Sequence, residues 1–429
     1  MNQYDVVYTL IRILTHPLRW LPYRWIHALG KIVGACLFYC MPSYRKRALS
    51  NIALAEGIAQ SEEEVIDTAK QAFHNLAINC LEYAKFAAEK SFSNVIACEN
   101  PEVADALYAE GKGLIFFCAH QSNWEALFLD GTRRMKGVAI GKDISNKPLY
   151  AWITRIREKH GGKIIAPKQA LREGLRALRS GAFLGIVGDQ GMPESSYSFP
   201  FLGRQAWSST APALLAYRTG RPILFAETRR VQGGYRIRYS DPIWPHLEKP
   251  MESEVIRMMN AALQLLETSI RKSPGEWLWQ HNRWKQQTPR VVYKPFRHDA
   301  LAIVLPPEPE RLRSLLPQLT AFREIYPRGF LAVMAPEHAH EPLPIAVDEL
   351  IEYKNLEETL RPDMRFKLVF DLAGYSPLRR HYLKRSAFAV LDVPALERLA
   401  SMHLRGGEQF GDVLKRALCR PGTLWHKEN

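Results

Sequence analysis

The sequence lacks the cysteine pattern of a disulfide-rich or zinc-binding protein. Its 429 residues include six cysteines, none of which forms a C-x-x-C pair or another zinc-like spacing. We interpret them as small buried side chains in a reducing compartment, and we expect no structural metal. Apolar residues make up 47% and charged residues 24% of the chain, close to globular averages, which excludes a disordered or collagen-like protein.

Acidic residues are scarce relative to basic ones. The chain has 58 Lys and Arg against 44 Asp and Glu, a formal net charge of +14, and the 20 basic and 18 acidic residues from position 291 onwards leave +12 on residues 1–290. A surface of this sign favours an anionic partner: a nucleic acid, an anionic membrane, or an acidic substrate or carrier. No helix-turn-helix, zinc-finger or aromatic-basic RNA-binding pattern accompanies the basic residues, so we expect no nucleic acid partner.

The first 45 residues lack a long uninterrupted hydrophobic run. Lys31 interrupts the most apolar stretch, residues 25–41, which falls short of the roughly 20 apolar residues that a spanning helix needs. Arginines are interleaved there with tryptophan and tyrosine, a composition typical of helices that lie in the lipid headgroup region. A single marginal span, an interfacial segment and a soluble helical hairpin are the three alternatives, and we expect membrane association.

Helix and strand patterns alternate along the rest of the chain and predict an α/β fold. A long helix is predicted to begin with residues 61–64, because Ser61 and Glu64 have the spacing of a capping box. Apolar runs of strand length at residues 114–119 and 182–187 predict buried strands, and a further helix is predicted over residues 310–325.

The length of the chain favours two domains, and the polar segment 288–299 is the best linker between them. We predict a membrane-associated helical segment at residues 1–45, a first α/β domain at residues 46–288, and a smaller Rossmann-like α/β domain at residues 298–429. The first strand of this last domain leads into the residues PPEP and not into a glycine-rich loop, so dinucleotide binding is disfavoured.

The strongest chemical signal is a histidine followed five positions later by an acid, His120 and Glu125. The same spacing occurs at His403 and Glu408, where no strand precedes the histidine. The first pair follows a buried strand, and the carboxyl ends of strands are where α/β sheets place their ligands. The sequence therefore predicts the active site around His120.

The local pattern predicts how this pair is arranged. Ser122 or Asn123 can cap the helix that follows, which places Glu125 in the first turn and bends His120 back toward it. Such a pair suits a general base whose imidazolium is stabilised by an acid. Cys118 on the same strand is an alternative nucleophile, but we interpret it as a buried strand residue.

Residues 120–125, HQSNWE, resemble the H-x4-D/E signature of the lipid A (late) acyltransferases, bacterial relatives of the glycerolipid acyltransferases. The likeness extends from about residue 5 to residue 286, with glutamate where the family more widely has aspartate. It implies a glycerolipid-acyltransferase-like mixed sheet flanked by helices. Other segments match in the same order along the chain: RIREKHG at 155–161, GDQ at 188–190, FPFLG at 199–203, GRPI at 220–223 and WLWQHNRWK at 277–285.

The resemblance implies a membrane-associated O-acyltransferase that transfers a fatty acyl chain from an acyl carrier protein thioester to a hydroxyl of a lipid A precursor. It implies no cofactor, since the thioester is a co-substrate, and a location at the cytoplasmic face of the bacterial inner membrane. In such an enzyme His120 deprotonates the acceptor hydroxyl, while Glu125 orients and charge-stabilises the histidine.

Four further residues complete the site that the resemblance implies. Arg157 is expected to contact the oxyanion or a phosphate, and Asp189 to position that arginine or the acceptor. Asn123 and Gln190, which lie in the same motifs, are expected to bind substrate.

Two alternatives stay open at this point. The enzyme could acylate another glycolipid or a lysophospholipid from acyl-CoA, or the chain could be an inactive membrane scaffold. Residues 298–429 depart from the family pattern, because the acyltransferases that the chain resembles end near the tryptophan-rich segment. Their pattern faintly resembles one lobe of a heptosyltransferase-like glycosyltransferase without the second lobe, and a docking or regulatory module is the other interpretation.

Overall fold

A computed structural model of the chain describes residues 2–191, 197–284, 288–339, 342–400 and 409–420. Helices and strands alternate along most of this length, which confirms the α/β class. Up to residue 272 the helices and strands are α1 (Gln3–Thr15), α2 (Tyr23–Cys40), α3 (Pro42–Leu54), α4 (Glu62–Ala88), β1 (Ile96–Cys98), α5 (Glu102–Ala109), β2 (Ile115–Cys118), α6 (Glu125–Arg134), β3 (Gly137–Ile140), α7 (Lys147–Arg157), β4 (Lys163–Ile165), α8 (Ala170–Arg179), β5 (Phe183–Val187), β6 (Ser198–Phe201), β7 (Arg204–Trp207), α9 (Ala211–Thr219), β8 (Ile223–Val231), β9 (Gly234–Tyr239) and α10 (Met251–Lys272). From residue 300 they are β10 (Ala300–Val304), α11 (Pro309–Leu315), α12 (Thr320–Ile325), β11 (Phe330–Pro336), β12 (Glu349–Tyr353), β13 (Leu368–Asp371), α13 (Pro377–Lys384), β14 (Ala389–Asp392), α14 (Val393–Ala400) and α15 (Phe410–Leu418).

The chain forms two compact units, of which the first comprises Met1–Cys40 and Asp67–Leu278. Its seven-stranded sheet has the order β1-β9-β8-β2-β5-β3-β4, and all neighbours are parallel except β8 and β9. The central strands β2 and β5 are continuous apolar runs because helices cover both faces of a parallel sheet. Since β2 and β5 pair directly, the loops at their carboxyl ends lie side by side.

Helix α2 packs closely on α4 through two glycines one helical turn apart. A Cβ atom at Gly30 would lie 2.9 Å from the Cα of Ile78, and one at Gly34 would lie 2.5 Å from the Cα of His74. These distances leave no room for a side chain, so the two helix backbones are in contact. One face of α2 is therefore committed to protein packing.

Among the described residues no single helix is long and apolar enough to cross a membrane by itself. The consecutive helices α2 and α3 meet the criteria of length and composition only when they are taken together.

The second unit comprises Met41–Ile66 and Trp279–Asn429. Its five strands are all parallel, in the order β12-β11-β10-β13-β14. The sequence predicted a division near residue 290, whereas this unit also includes α3 and the segment that begins at Trp279.

A buried ion pair explains why α3 and the segment after Trp279 group with the second sheet. The ammonium group of Lys367 is fully buried and lies 2.7 Å from the carboxylate of Asp299. It also donates to the Oδ1 atom of Asn51 on α3, at 2.8 Å, and to the side chain of Asn282, at 3.4 Å. A buried charge needs such partners, and two of them come from outside residues 291–429.

Two predicted features are wrong in detail. The helix predicted over 310–325 is interrupted between α11 and α12 by a 3-10 turn at Leu316–Leu319, because Pro317 cannot donate a backbone hydrogen bond. Burial of the thiols holds for Cys118 and Cys419, but three others are exposed on the sides of α2 and α4: Cys36, Cys40 and Cys80.

Replacing Lys367 tests the buried ion pair. The Lys367→Met substitution leaves the Asp299 carboxylate buried without its cation, so we expect the free energy of unfolding of the second unit to fall by about 3–5 kcal/mol. Chemical denaturation of the purified full chain measures this fall, with the exposed Lys384→Met as the matched control. A loss no larger than that of the control would contradict the role given to the pair.

Candidate active site

His120 and Asp189 lie in the adjacent loops that follow β2 and β5. The Nδ1 atom of His120 is 2.8 Å from one carboxylate oxygen of Asp189, and the backbone N–H of His120 donates to the other oxygen at 2.9 Å. An ionised carboxylate has no proton to donate, so Nδ1 carries the proton of the neutral ring. The Nε2 atom of His120 is then left with its lone pair.

Trp277 supplies a further hydrogen bond to the same carboxylate. Its indole Nε1 donates to Asp189 at 2.8 Å. The backbone around Trp277 runs along the loop that contains His120. There the N–H of Leu278 donates to the carbonyl of His120, and the N–H of Ser122 donates to the carbonyl of Glu276. The tryptophan-rich segment therefore fixes both the loop and the acid.

The electrostatics of Asp189 follow from these contacts. Burial works to raise the pKa of the Asp189 carboxyl, but the His120 ring and the donors of His120 and Trp277 hold that pKa well below its usual range. Asp189 is therefore a carboxylate at neutral pH, although its side chain is only 3% exposed.

The open side of the imidazole faces Gln190. The side chain of His120 is 18% exposed, and the edge of its ring packs against Trp124 with the ring centroids 4.6 Å apart. The side-chain amide of Gln190 is exposed and lies 3.5 Å from the Nε2 atom of His120. A group that reaches Nε2 from this side must therefore pass beside the Gln190 amide or displace it.

Glu125 forms a second buried ion pair, with Arg157. Glu125 is the first residue of α6 and Arg157 the last residue of α7. The Nε and Nη2 atoms of Arg157 donate to the two carboxylate oxygens at 2.8 and 2.5 Å, and the hydroxyl of Tyr83 donates to the carboxylate at 2.6 Å. This bidentate geometry fixes the plane of the guanidinium.

The pKa values of this pair follow from its burial and its charges. Burial works to raise the pKa of the Glu125 carboxyl, but the Arg157 guanidinium and the hydrogen bonds from Arg157 and Tyr83 hold it below its ordinary value. Burial works to lower the pKa of the Arg157 guanidinium, but Glu125 and Tyr83, through their charges and hydrogen bonds together, raise that pKa above its ordinary value. Both groups are therefore charged at neutral pH.

The pairing of His120, Glu125, Arg157 and Asp189 differs from that expected from the sequence. Glu125 was expected to orient His120, and Asp189 to position Arg157 or the acceptor. In the structure Asp189 contacts His120, and Glu125 contacts Arg157. The reason is topological, because Asp189 follows the strand that pairs with β2 and so reaches the ring from the neighbouring loop.

Asn123 is buried, and its side chain contacts other protein groups. Its side chain is 1% exposed, and its Oδ1 atom accepts a hydrogen bond of 3.1 Å from the N–H of Glu125, two residues on, as in an Asx turn. The predicted cap by Ser122 or Asn123 is wrong, because the N-cap residue of α6 is Trp124, which makes no side-chain capping hydrogen bond. Its Nδ2 atom donates to the buried Glu82, so both ends of the amide are already occupied within the protein.

Sequence reasoning missed Tyr83 and did not assign a role to Trp277. Tyr83 lies within a long amphipathic helix, where nothing in the spacing distinguishes it from its neighbours. Trp277 stands in a segment that carried the family resemblance, which was the available signal. The predicted burial of Cys118 is confirmed, and burial raises the pKa of its thiol; His403 and Glu408 lie outside the described residues.

Among the described residues, no group of three or more His, Cys, Asp or Glu side chains is arranged to hold a metal ion.

Comparison with known proteins identifies the family to which this site belongs. The family model described as bacterial lipid A biosynthesis acyltransferase matches residues 2–286, well over half of the chain. The chain belongs to this family. It is an acyltransferase, and the match includes every residue of the site from Tyr83 to Trp277. No curated protein matches the chain.

Acid sensitivity tests the charged state of Glu125 in this acyltransferase. In the Glu125→Gln variant Arg157 loses its counter-charge, so we expect a fall of about 3–5 kcal/mol in the free energy of unfolding at neutral pH. Because the pKa of Glu125 is lowered in the folded state, the advantage of the wild type is complete above the ordinary Glu pKa of about 4.3 and shrinks as the pH falls further.

Denaturation of both proteins between neutral and acidic pH measures this difference, with the exposed Glu110→Gln as the control. A difference that does not shrink on acidification would contradict the assigned pKa direction.

Proposed function

We propose that this acyltransferase transfers a fatty acyl chain from an acyl carrier protein thioester to a hydroxyl of a lipid A precursor, with His120 as the general base. The observation that carries the proposal is the position of the His120 ring: its Nδ1 atom lies 2.8 Å from the Asp189 carboxylate, and its Nε2 atom lies 3.5 Å from the exposed side-chain amide of Gln190. That arrangement is what abstraction of a hydroxyl proton requires.

The reaction uses these groups in two steps. The Nε2 atom of His120 takes the hydroxyl proton while the acceptor oxygen attacks the thioester carbonyl, and Asp189 stabilises the imidazolium that forms. The tetrahedral oxyanion then collapses with cleavage of the C–S bond, and the imidazolium returns its proton to the leaving thiolate. The products are the ester and the free carrier thiol, no acyl-enzyme is formed, and no cofactor is needed.

Arg157 is the proposed anion-binding group. Glu125 and Tyr83 occupy its Nε and Nη2 atoms, and in the described part of the chain no hydrogen bond is formed by its Nη1 atom. Its side chain is 19% exposed. We propose that Glu125 fixes the guanidinium so that Nη1 meets the oxyanion or a phosphate of the acceptor.

The charge of the chain supports anionic substrates and partners. The surplus of +12 lies within residues 1–290, which include the whole site. Arg172 and Arg176 on α8 are each 72% exposed, although both contact Glu173. An acidic carrier protein, a phosphorylated lipid and an anionic membrane surface all fit such a charge, whereas no nucleic acid partner is proposed.

We also propose that the N-terminal helices lie in the headgroup region at the cytoplasmic face of the bacterial inner membrane. None of the side chains of α1 is buried, and α2 buries one face on α4 while it exposes the other. Large apolar side chains cover these outer faces, among them Leu10 (52% exposed), Ile13 (63%), Leu14 (75%), Trp20 (68%), Trp25 (58%) and Ile32 (64%). Such a surface, bordered by arginines, is typical of an interfacial segment.

Purified full-length enzyme tests the chemistry. We expect acyl transfer from an acyl carrier thioester to a phosphorylated lipid A precursor, a loss of about 10²–10⁴-fold in kcat for His120→Ala, and a loss of up to about 10⁴-fold for Asp189→Asn, which no longer fixes the tautomer. His246→Ala, at a half-exposed histidine, is the control. Undiminished transfer by His120→Ala would contradict the mechanism, and transfer from acyl-CoA alone would contradict the donor.

Vesicle binding tests the membrane segment. We expect the full chain to sediment with vesicles that contain anionic phospholipid, and combined serine substitutions at Ile13, Leu14, Trp20 and Trp25 to abolish this by removing apolar burial. Serine substitutions at Leu247 (57% exposed) and Leu350 (49% exposed) are the matched control. Undiminished sedimentation of the N-terminal variant would contradict the proposal.

A further inference from the structure

Glu82 is a buried carboxylate that none of the proposed catalytic steps uses. It lies within α4, its side chain is 0% exposed, and its oxygens accept three hydrogen bonds. The donors are Nε2 of His27 at 2.8 Å, Nδ2 of Asn123 at 2.7 Å and the hydroxyl of Tyr235 at 2.5 Å. The guanidinium of Arg230 lies behind this group and donates to the Tyr235 hydroxyl at 3.2 Å.

Stability alone does not account for a carboxylate in this position. A buried carboxylate has a large desolvation cost, which its partners offset at best in part, and replacing such a carboxylate together with its polar partners by apolar side chains is often neutral or stabilising. The carboxylate fixes the orientation of the donors around it, because it accepts hydrogen bonds at fixed angles and donates none. A residue of this kind sets the orientation of its neighbours.

Glu82 is connected to the site through the side-chain amide of Asn123. With its Nδ2 atom bound to Glu82, the amide of Asn123 must point its Oδ1 atom toward the backbone N–H of Glu125, which lies 3.1 Å away. That contact fixes the backbone of Glu125, the first residue of α6, whose side chain reaches Arg157. Glu82 is therefore two hydrogen bonds from the backbone of the residue that fixes the guanidinium.

The loop that Glu82 supports has a strained backbone. Ser122 has a φ angle of +50°, in the left-handed region that residues other than glycine rarely occupy. Its carbonyl accepts hydrogen bonds from the side chains of Asn75 at 3.2 Å and Asn79 at 2.5 Å. Arg230 donates to both of these asparagines, so the same polar network holds the strained residue and the Asn123 amide.

We infer that Glu82 is a positioning residue for acyl transfer, which sets the Glu125–Arg157 pair through the Asn123 amide. His27 extends the arrangement to α2, the helix that carries part of the proposed membrane surface, and the contacts at Gly30 and Gly34 keep that helix in register with α4. The inference rests on the proposed function, since it concerns the geometry of the same site.

Exchange of the two partners tests the inference. In the Asn123→Asp variant two carboxylates face each other, so we expect the loop to shift and kcat to fall by about 10²-fold, the cost of a displacement of roughly 1 Å. Adding Glu82→Gln restores a donor and an acceptor in reversed order, so the double variant should regain at least about tenfold in kcat over Asn123→Asp. The single Glu82→Gln variant completes the double-mutant cycle.

A second substitution separates positioning from folding. Glu82→Met keeps the volume but leaves the donors of His27, Asn123 and Tyr235 without their acceptor, so we expect the melting temperature to fall and, at a temperature where the variant is still folded, kcat to fall as well. This variant also decides the matter if Asn123→Asp does not fold. Asn94→Asp, at an exposed asparagine, is the control for the loss of an amide.

The outcomes distinguish this inference from the proposed function. Absence of transfer by the wild type, or full transfer by His120→Ala, overturns the proposed function. With an active wild type and an inactive His120→Ala enzyme, wild-type kcat in both Asn123→Asp and Glu82→Met overturns the inference. A double variant no faster than a folded Asn123→Asp enzyme also overturns it, whereas recovery of kcat in that variant supports it.

Discussion

The hydrogen bond between the Nδ1 atom of His120 and the buried carboxylate of Asp189 is the interaction on which the site depends. It selects the ring tautomer, directs Nε2 outward, and requires β2 and β5 to be neighbours. The carboxylate is in turn fixed by the Trp277 indole, which is brought there by the backbone pairing of residues 120–122 with residues 276–278. Segments far apart in the sequence must therefore fold together before the His120 ring is held in this orientation, and under the proposed mechanism this is a form of preorganisation.

Charge is arranged around this interaction so that each buried acid has its own partner. Asp189 faces the histidine and the indole, Glu125 faces Arg157 and Tyr83, and Glu82 faces the donors beneath the loop. The separation has a physical basis, because two carboxylates that shared one partner would raise each other's pKa, and one of them would lose its charge. It also lets His120 and Arg157, the proposed base and the proposed anion-binding group, be held by different strands and helices.

The sequence predicted those parts of the fold that depend on local pattern. The apolar runs at 114–119 and 182–187 became β2 and β5 within a residue of their predicted ends, since burial on both faces leaves a continuous apolar signal. The hairpin of β6 and β7 was missed because its strands are short and half polar. In the site, the five-residue spacing made Glu125 visible as a partner for His120, whereas Asp189 is its partner through strand pairing, which a single sequence does not encode as spacing.

The division of the chain follows buried polar groups, not the limits of the family match. The match ends at residue 286, yet α3 and the segment after Trp279 belong to the unit that contains the second sheet. Asn51 on α3 contacts the buried Lys367, and it also donates to the carbonyls of Trp279 and His281. Without these partners the buried donors and acceptors would be unsatisfied, and the loss of stability would exceed what most surface contacts contribute. The residues after position 290 are therefore part of the environment in which two segments of the family region fold, and a chain cut there would leave both segments incomplete.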